Sequence, residues 1–282
     1  MSKKTSQNIV FGIFAAITAL VSIISIGIVF YVAYHGLGIM SWQFLTDIPR
    51  EGMTKGGIFP AIVGTLVLIL VSALLAFPVG IFAGIFMNEY ARDNWFKKFI
   101  RLMTNNLAGV PSIVFGLFGM AFFVNGIGFG VSIISGCLTL GILVLPIVIR
   151  TTEESLKFIK PEYRLASYAM GATKWQTIWR VILPMALPSI ITGLILSIGR
   201  IAGETAAILF TVAAYYLPRL PQSVFDEVMA LPYHLFVIVT SGTDIEASRP
   251  AADGTALVLL VIVLLLNLAA NFIKRRLNPK KS

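Results

Sequence analysis

Long apolar runs separated by short polar stretches dominate the chain. Each of these runs approaches or exceeds the roughly 20 residues that a helix needs to cross a hydrocarbon core. They lie at 9–34, 58–87, 99–124, 127–149, 185–214 and 256–273. The pattern predicts an all-α membrane protein with about six transmembrane helices. The first run is too long for the apolar region of a secretory signal, so we interpret it as a spanning helix.

Composition argues against a soluble fold. Of the 282 residues, 57% are hydrophobic and only 12% are charged, whereas about 25% of the residues of a typical soluble protein are charged. The lone cysteine, Cys137, excludes a disulfide framework within the chain, and His35 and His234 are far apart in the sequence. We therefore expect neither disulfides nor a Cys/His metal site.

The net charge of +9 would suit a nucleic-acid-binding protein, but the placement of the charges does not. The basic residues stand in short stretches between apolar runs, which is the pattern of membrane topology. Most of them fall at the two termini and in the connections 88–98 and 150–184. The opposite side carries only Arg50, Lys55, Arg219 and Arg249. The positive-inside rule therefore predicts that both termini are cytoplasmic, and the expected partner is the lipid bilayer rather than nucleic acid.

The connections 36–57 and 215–255 are predicted to lie on the outer side. The second of them contains an apolar stretch at 231–239. That stretch is too short to cross the membrane. We expect a short interfacial or re-entrant helix there rather than a seventh span.

The connection 151–184 is the most informative segment of the chain. Pro161 suits the first turn of a helix, and Gly171 suits the left-handed residue that follows a helix. Two capping boxes are predicted, Thr151 with Glu154 and Thr173 with Gln176. The pattern predicts two helices joined by a glycine turn on the cytoplasmic side.

An apolar stripe follows on the second of these helices, and Pro184 is predicted to end it. The stripe has the helical spacing i, i+3, i+4, i+7 and consists of Trp175, Ile178, Trp179 and Ile182. One interpretation is that the two helices form a rigid projection that a partner protein approaches closely. The other is an amphipathic connector lying on the membrane surface, and periodicity alone leaves both open.

The same segment resembles the "EAA" loop of binding-protein-dependent ABC importer permeases. The consensus of that loop is Glu-Ala-Ala, three residues, Gly, nine residues, Ile, any residue, Leu-Pro. Ala166-Ser167, Gly171 and Val181-Ile182-Leu183-Pro184 match this spacing. Leu165 stands where the consensus has Glu, and Glu162 lies one turn earlier. In this family the loop docks into a groove on a cytoplasmic ATPase subunit. The resemblance therefore implies ATPase coupling through Glu162, Leu165, Ala166, Gly171, Val181 and Pro184.

Longer stretches are similar to the phosphate-specific permeases. These are GGIFPAIVGT (56–65), GVPSIVFGLFG (109–119), GATKWQTIWRVILP (171–184) and GRIAGETAAILFT (199–211). The stretch SWQFLTDIPREGMTKGGIFPAI (41–62) is similar to the PstA-type subunit rather than to its PstC-type partner. Altogether the resemblance covers about residues 41–276.

The resemblance implies a MetI-like fold in the bacterial plasma (inner) membrane, with phosphate as the substrate. It implies an N-terminal transmembrane helix and outer loop at 1–56. A permease core follows at 57–282, including the coupling segment 151–184 and the outer loop 215–255. The implied partners are a PstC-type permease subunit, a PstB-type ATPase dimer and a PstS-type phosphate-binding protein.

The chain carries no G-x-x-x-x-G-K-[ST] phosphate cradle, no H-E-x-x-H helix and no G-x-S-x-G elbow. We therefore expect it to be a transport subunit rather than an enzyme and to bind no cofactor. ATP and Mg would belong to the partner ATPase.

Two charged residues, Arg200 and Glu204, lie within the fifth apolar run. A charge at the centre of a bilayer costs about 2.5–3.5 kcal/mol on insertion scales. At spacing i, i+4 the two side chains project from one helical face and could pair. Gly199 and Gly203 form a GxxxG step that would let another helix approach closely.

Our interpretation is that Arg200 lines a translocation pathway for an anion while Glu204 holds it. The alternative is a structural ion pair between helices. A different class of function, an ion-coupled secondary transporter, would use Arg200 and Glu204 as its coupling pair. The patterned cytoplasmic segment and the lack of a recognisable inverted repeat argue against that class. A non-transporting scaffold or sensor is a third hypothesis.

Overall fold

Helices make up most of the described chain, which comprises residues 3–241 and 245–277 of a computed structural model. In chain order they are α1 (Lys3–Leu37), α2 (Trp42–Thr46), α3 (Phe59–Ile85), α4 (Trp95–Ala108), α5 (Ser112–Gly119), α6 (Ile133–Lys157), α7 (Pro161–Ala169), α8 (Lys174–Thr177), α9 (Leu183–Gly203), α10 (Leu231–Ser241) and α11 (Ile245–Leu277). Wider π-helical turns extend α3 (Phe86–Tyr90), extend α5 (Met120–Gly126) and join α8 to α9 (Ile178–Ile182). A small antiparallel hairpin pairs β1 (Pro49–Arg50) with β2 (Lys55–Gly56).

Five helical segments in the described chain are long and apolar enough to cross a membrane: Gln7–Leu37, Phe59–Tyr90, Ile133–Lys157, Lys174–Gly203 and Glu246–Arg276. The run at 99–124 is different, because α4 and α5 meet there at 103°. The predicted span is therefore divided into two helices, with the break at residues 109–111. Pro111 stands at the break, and a proline pushes the residue before it out of the α conformation.

The contacts made by the two ends of the bent pair lie at opposite ends of α6. At one end, Arg101 of α4 forms an ion pair with Glu153, close to the end of α6. At the other end, α5 leads to the start of α6, where the Ile133 N–H donates to the Asp226 carbonyl at 2.8 Å. Tyr216 then ties that outer segment to the first outer loop through a hydrogen bond to the Pro49 carbonyl at 2.9 Å. The contacts therefore support six crossings.

Small residues bring α3, α6 and α9 into close contact at the centre of the molecule. A methyl group added at Gly80 would lie 2.6 Å from Val148, and one added at Gly84 would lie 2.6 Å from Thr152. A methyl group at Gly193 would lie 2.3 Å from Thr151. Lipid tails are as apolar as the helices themselves, so this close packing is what holds the helices together.

The helix boundaries around the connection 151–184 differ in part from the prediction. Thr151 does not cap a helix but lies inside α6, where its hydroxyl donates to the Ile147 carbonyl at 2.8 Å. The first predicted capping box is therefore wrong. The second is confirmed, since Thr173 and Gln176 cap each other reciprocally. The start of α7 at Pro161 is also confirmed.

Pro184 does not end a helix, contrary to the prediction. The π-helical turn at Ile178–Ile182 carries the chain from α8 into α9, with the Leu183 N–H donating to the Ile178 carbonyl. A proline inside a regular helix clashes with the carbonyl four residues earlier. The wider turn just before Pro184 removes that conflict.

The fifth apolar run is helical only as far as Gly203. Residues 204–214 form turns, so the predicted helix to residue 214 is wrong. Ala207, Ile208 and Val212 of this segment are almost completely buried. Non-helical backbone at membrane depth is tolerated where protein covers it. The short apolar stretch of the outer loop is the helix α10, which packs on α11 as part of a buried cluster.

Candidate functional site

The predicted coupling segment forms a projecting surface, here called the knob, made of α7, α8 and the turn between them. None of the residues of α7 is buried. Leu165 is 66% exposed, and Glu162 and Ala166 are also exposed, one helical turn or less away. Gly171 has φ +82°, the left-handed conformation that was predicted for it. The turn therefore fixes how the exposed face of α7 is presented.

Large apolar side chains are exposed on the knob and just before it. Met170 and Trp175 of the knob are 88% and 59% exposed, and Phe158 is 83% exposed. Several large exposed apolar side chains close together in the sequence suit a protein–protein interface. Of the other predicted coupling residues, Val181 is partly covered and Pro184 is exposed, and both lie past the knob at the start of the following helix.

Polar contacts hold the knob against the rest of the chain. Arg164 Nη2 lies 2.6 Å from Glu89 Oε1 at the end of the extended α3. Within the knob, the Ser167 and Thr177 hydroxyls lie 2.8 Å apart and join α7 to α8. Lys174 donates to the Glu89 carbonyl and lies 4.6 Å from the centre of the Tyr90 ring. The sequence did not point to these contacts. Glu89 stands at the end of one apolar run, Arg164 and Lys174 stand in a distant segment, and no local pattern links them.

The two charged candidates of the fifth apolar run, Arg200 and Glu204, lie at the end of α9. Arg200 is exposed on the last turn of this helix. Methyl groups added at Gly199 or Gly203 would meet no described atom within 4 Å, so the helix that the GxxxG step was predicted to admit is not part of the described chain. A cation in the last turn is stabilised by the negative end of the helix dipole.

Arg200 and Glu204 do not form the ion pair that their spacing would allow. No ion pair involves either residue within the described part of the chain. Glu204 instead accepts a hydrogen bond from the Ala207 N–H at 3.3 Å. The helix ends between the two side chains, since Glu204 has extended backbone angles. Glu204 therefore stabilises the turn, and Arg200 is left available on the surface of α9.

One face of α9 leads along the helix to Arg200. Its exposed residues are Met185, Ser189, Leu196, Arg200 and Gly203. Three of these five are small or polar, which is unlike a surface that faces only lipid tails. The face is suited to a second membrane subunit or to a polar pathway.

An outer-loop carboxylate anchors the segment that meets the start of α6. The Gln222 and Ser223 N–H groups donate to Asp226 Oδ2 at 2.7 and 2.9 Å. These backbone hydrogen bonds lower the pKa of Asp226 below its usual value. The carboxylate is therefore charged at neutral pH and keeps the loop in place.

A known family of membrane proteins matches most of the chain that forms these spanning helices and the exposed knob. The model of the "Binding-protein-dependent transport system inner membrane component" family matches residues 76–282. The chain belongs to this family. It is 35% identical over 285 residues to the "Probable ABC transporter permease protein YqgI" of Bacillus subtilis (strain 168), covering 97% of this chain and 96% of that protein. It is 38% identical over 220 residues to the "Phosphate transport system permease protein PstA 1" of Mycobacterium tuberculosis (strain CDC 1551 / Oshkosh), covering 78% and 71%.

Solved ABC transporters share the fold. A chain of a bacterial alginate ABC transporter in complex with an alginate pentasaccharide-bound periplasmic protein has a TM-score of 0.68 at 18% identity, covering 97% of this chain and 98% of that one. A chain of the inward-facing MetNI methionine ABC transporter has a TM-score of 0.64 at 19% identity, covering 77% and 94%. The all-α importer-permease fold predicted from the sequence is confirmed.

Proposed function

We propose that this permease chain is the PstA-type subunit of an ATP-driven phosphate importer in the bacterial inner membrane, with both termini cytoplasmic. Relatives named as PstA phosphate permeases, from Mycobacterium tuberculosis, Mycobacterium leprae and Xylella fastidiosa, support the substrate at 34–38% identity. The chain forms part of the pathway and carries out no chemistry of its own.

Arg200 is the observation that carries this proposal. It is the one charged side chain of α9, and it is exposed on a face made largely of small and polar residues. A guanidinium group matches the oxygens of phosphate in geometry and charge. A single cation binds the anion without trapping it, as conduction requires. Glu204 contributes to the pathway by fixing the turn that follows Arg200.

The knob is where the PstB-type ATPase dimer docks, through Glu162, Leu165 and Ala166 on α7. ATP and Mg bind to that ATPase, and this chain binds no cofactor. A PstC-type permease subunit completes the pathway against the open face of α9. A PstS-type protein delivers phosphate to the outer loops.

The competing hypothesis of an ion-coupled secondary transporter loses its main support. It requires Arg200 and Glu204 to act as a coupled pair, and Glu204 is occupied by the Ala207 N–H. The exposed knob also has no role in a transporter that works alone.

The test is phosphate uptake by cells that carry Arg200→Gln, with Arg200→Lys and Arg275→Gln for comparison. Arg275 is an exposed residue at the end of α11, so its loss removes the same charge away from α9 and from the outer loops. We expect uptake to fall by about tenfold or more in Arg200→Gln, by less in Arg200→Lys, and not at all in Arg275→Gln. Co-purification of the ATPase with each variant shows whether the complex is intact. Normal uptake by Arg200→Gln would remove Arg200 from the pathway.

A further inference from the structure

Helix α7 of the knob touches the rest of the chain through few side chains. Within this helix only Arg164 and Ser167 are partly covered, and every other residue is exposed. The two residues are one helical turn apart and therefore share a face. Apolar burial thus contributes little to the position of α7, which depends on the polar contacts of this face.

Arg164 binds the ends of two spanning helices at once. Its Nη2 lies 2.6 Å from Glu89 Oε1 and 3.1 Å from the Leu156 carbonyl near the end of α6, and its Nη1 lies 3.0 Å from the Ile159 carbonyl. A guanidinium offers five donors in a fixed plane, so one side chain can hold all three acceptors. Asn88 adds a hydrogen bond to Glu89 Oε1 at 2.8 Å.

The Glu89 carboxylate is well protected. Its side chain is 6% exposed and that of Arg164 is 19% exposed. A charge pair with so little contact with water is screened far less than a surface pair, and removing one partner leaves the other charge buried and unpaired. Loss of Glu89 is therefore expected to release Arg164 from α3.

The second helix of the knob meets the same place. Lys174, the first residue of α8, donates to the Glu89 carbonyl and lies over the Tyr90 ring. Glu89 and Tyr90 belong to the π-helical turn Phe86–Tyr90, a feature that is often found at functional positions. Both helices of the knob are thus fastened to one turn at the end of α3.

We propose that Glu89 is a positioning residue that fastens the docking knob to α3. A movement that the ATPase imposes on the knob then reaches the pathway by two routes. One is the covalent continuation of α8 into α9, and the other is the Glu89–Arg164 pair into α3. Through Gly80 and Gly84, α3 packs tightly on α6, so the second route moves α3 and α6 together. This inference rests on the proposed docking of the ATPase at the knob.

The experiment compares Glu89→Gln with the wild type and with Glu154→Gln. Each is purified as a complex with its ATPase, partner permease and binding protein and is reconstituted in proteoliposomes. Glu154 is a control for loss of a carboxylate, because its ion pair with Arg150, at 2.9 Å, lies within α6 and is exposed, and no ion pair among the described residues joins Glu154 to α7. Phosphate uptake and ATP hydrolysis are measured on the same vesicles. We expect Glu89→Gln to lower the phosphate moved per ATP hydrolysed by about tenfold, with the ATPase still bound and Glu154→Gln unchanged.

Two outcomes would overturn the proposal. One is an unchanged ratio of uptake to hydrolysis in Glu89→Gln. The other is loss of the ATPase from the complex, since Glu89 would then serve docking and not the transmission of movement. Arg164→Lys provides a further check, because lysine keeps the charge but cannot reach Glu89 and both carbonyls together. Its ratio should fall as well.

A second measurement separates this inference from the choice of substrate. Nitroxide labels at Leu74 of α3 and Leu268 of α11, which are 73% and 64% exposed, report the distance between the two helices with and without ATP and vanadate. The native Cys137 is buried, so it does not compete for the label. The wild type should show a nucleotide-dependent change in this distance, and Glu89→Gln should reduce it. If the wild type moves no phosphate but shows this change, and Glu89→Gln reduces it, the proposed substrate fails and the role of Glu89 stands.

Discussion

Glu204 stands where α9 ends, and the hydrogen bond from the Ala207 N–H gives its carboxylate a structural role. An uncharged glutamine offers the same acceptor oxygen, whereas alanine leaves the N–H without it. We expect Glu204→Gln to unfold close to the wild-type temperature. Glu204→Ala should lose about 1–2 kcal/mol of unfolding free energy. Thermal unfolding of the two variants in detergent measures the difference.

The opposite interpretation, an ion pair with Arg200, makes a different prediction for the same variants. Loss of the negative charge would then be enough to lower the unfolding free energy, so Glu204→Gln would be as unstable as Glu204→Ala. Equal melting temperatures for the two variants, both well below that of the wild type, would contradict the role in the turn.

The spacing of Arg200 and Glu204 predicted that they share a helical face. That prediction requires a continuous helix through both residues, and α9 ends at Gly203. Residues 204–214 are as apolar as a spanning helix, because the segment is buried by protein instead of facing lipid. Hydropathy reports burial in an apolar environment and not backbone conformation. The presence of Arg200 within an apolar run was therefore evident from the sequence, whereas the end of α9 between Arg200 and Glu204 was not.

At the scale of elements, substitutions at Gly171 test whether binding of the ATPase depends on the backbone conformation of the turn between α7 and α8. A side chain at this position has open space, since no described atom lies within 4 Å of an added methyl group. Any cost therefore comes from the backbone at φ +82°. Asparagine visits this conformation, whereas a β-branched residue is strongly disfavoured there.

We expect Gly171→Val to weaken co-purification of the ATPase and to reduce uptake, and Gly171→Asn to keep most of both. Each variant should still insert, because the turn lies outside the spanning segments. Quantitative pull-down of the ATPase from membranes gives the comparison. Full retention of the ATPase by Gly171→Val would show that docking does not depend on this turn.

The capping boxes show how far local signals extend. Thr173 and Gln176 cap a helix as predicted, but Thr151 and Glu154 have the same spacing inside α6. A hydroxyl inside a helix can bond to the carbonyl four residues earlier, and Thr151 does so with Ile147. The first box failed because α6 continues past the predicted end of the apolar run. Nothing local distinguishes the two cases.

At the scale of the whole molecule, the number of crossings decides which surfaces face the ATPase. The bend of 103° between α4 and α5 is compatible with two topologies. The pair is either a broken helix that crosses the membrane or a re-entrant segment that returns to the same side. If the bent pair crosses, the loops that contain Trp42 and Phe225 lie on one side of the membrane. Phe158, which lies just before the knob, is then on the other side. If it only dips into the membrane, Trp42 and Phe158 share a side and Phe225 is opposite. The bonds that link Pro49, Tyr216 and the start of α6 favour the first arrangement.

Single cysteines at the three positions test this arrangement in a Cys137→Ala background. Trp42, Phe158 and Phe225 are 80%, 83% and 58% exposed, so each introduced thiol should react readily with a maleimide. In intact spheroplasts that lack the ATPase partner, a membrane-impermeant maleimide should label positions 42 and 225. Position 158 should be labelled only after the membrane is opened. Labelling of positions 42 and 158 together would establish five crossings, and it would place the knob on the side of the membrane where no ATPase can reach it.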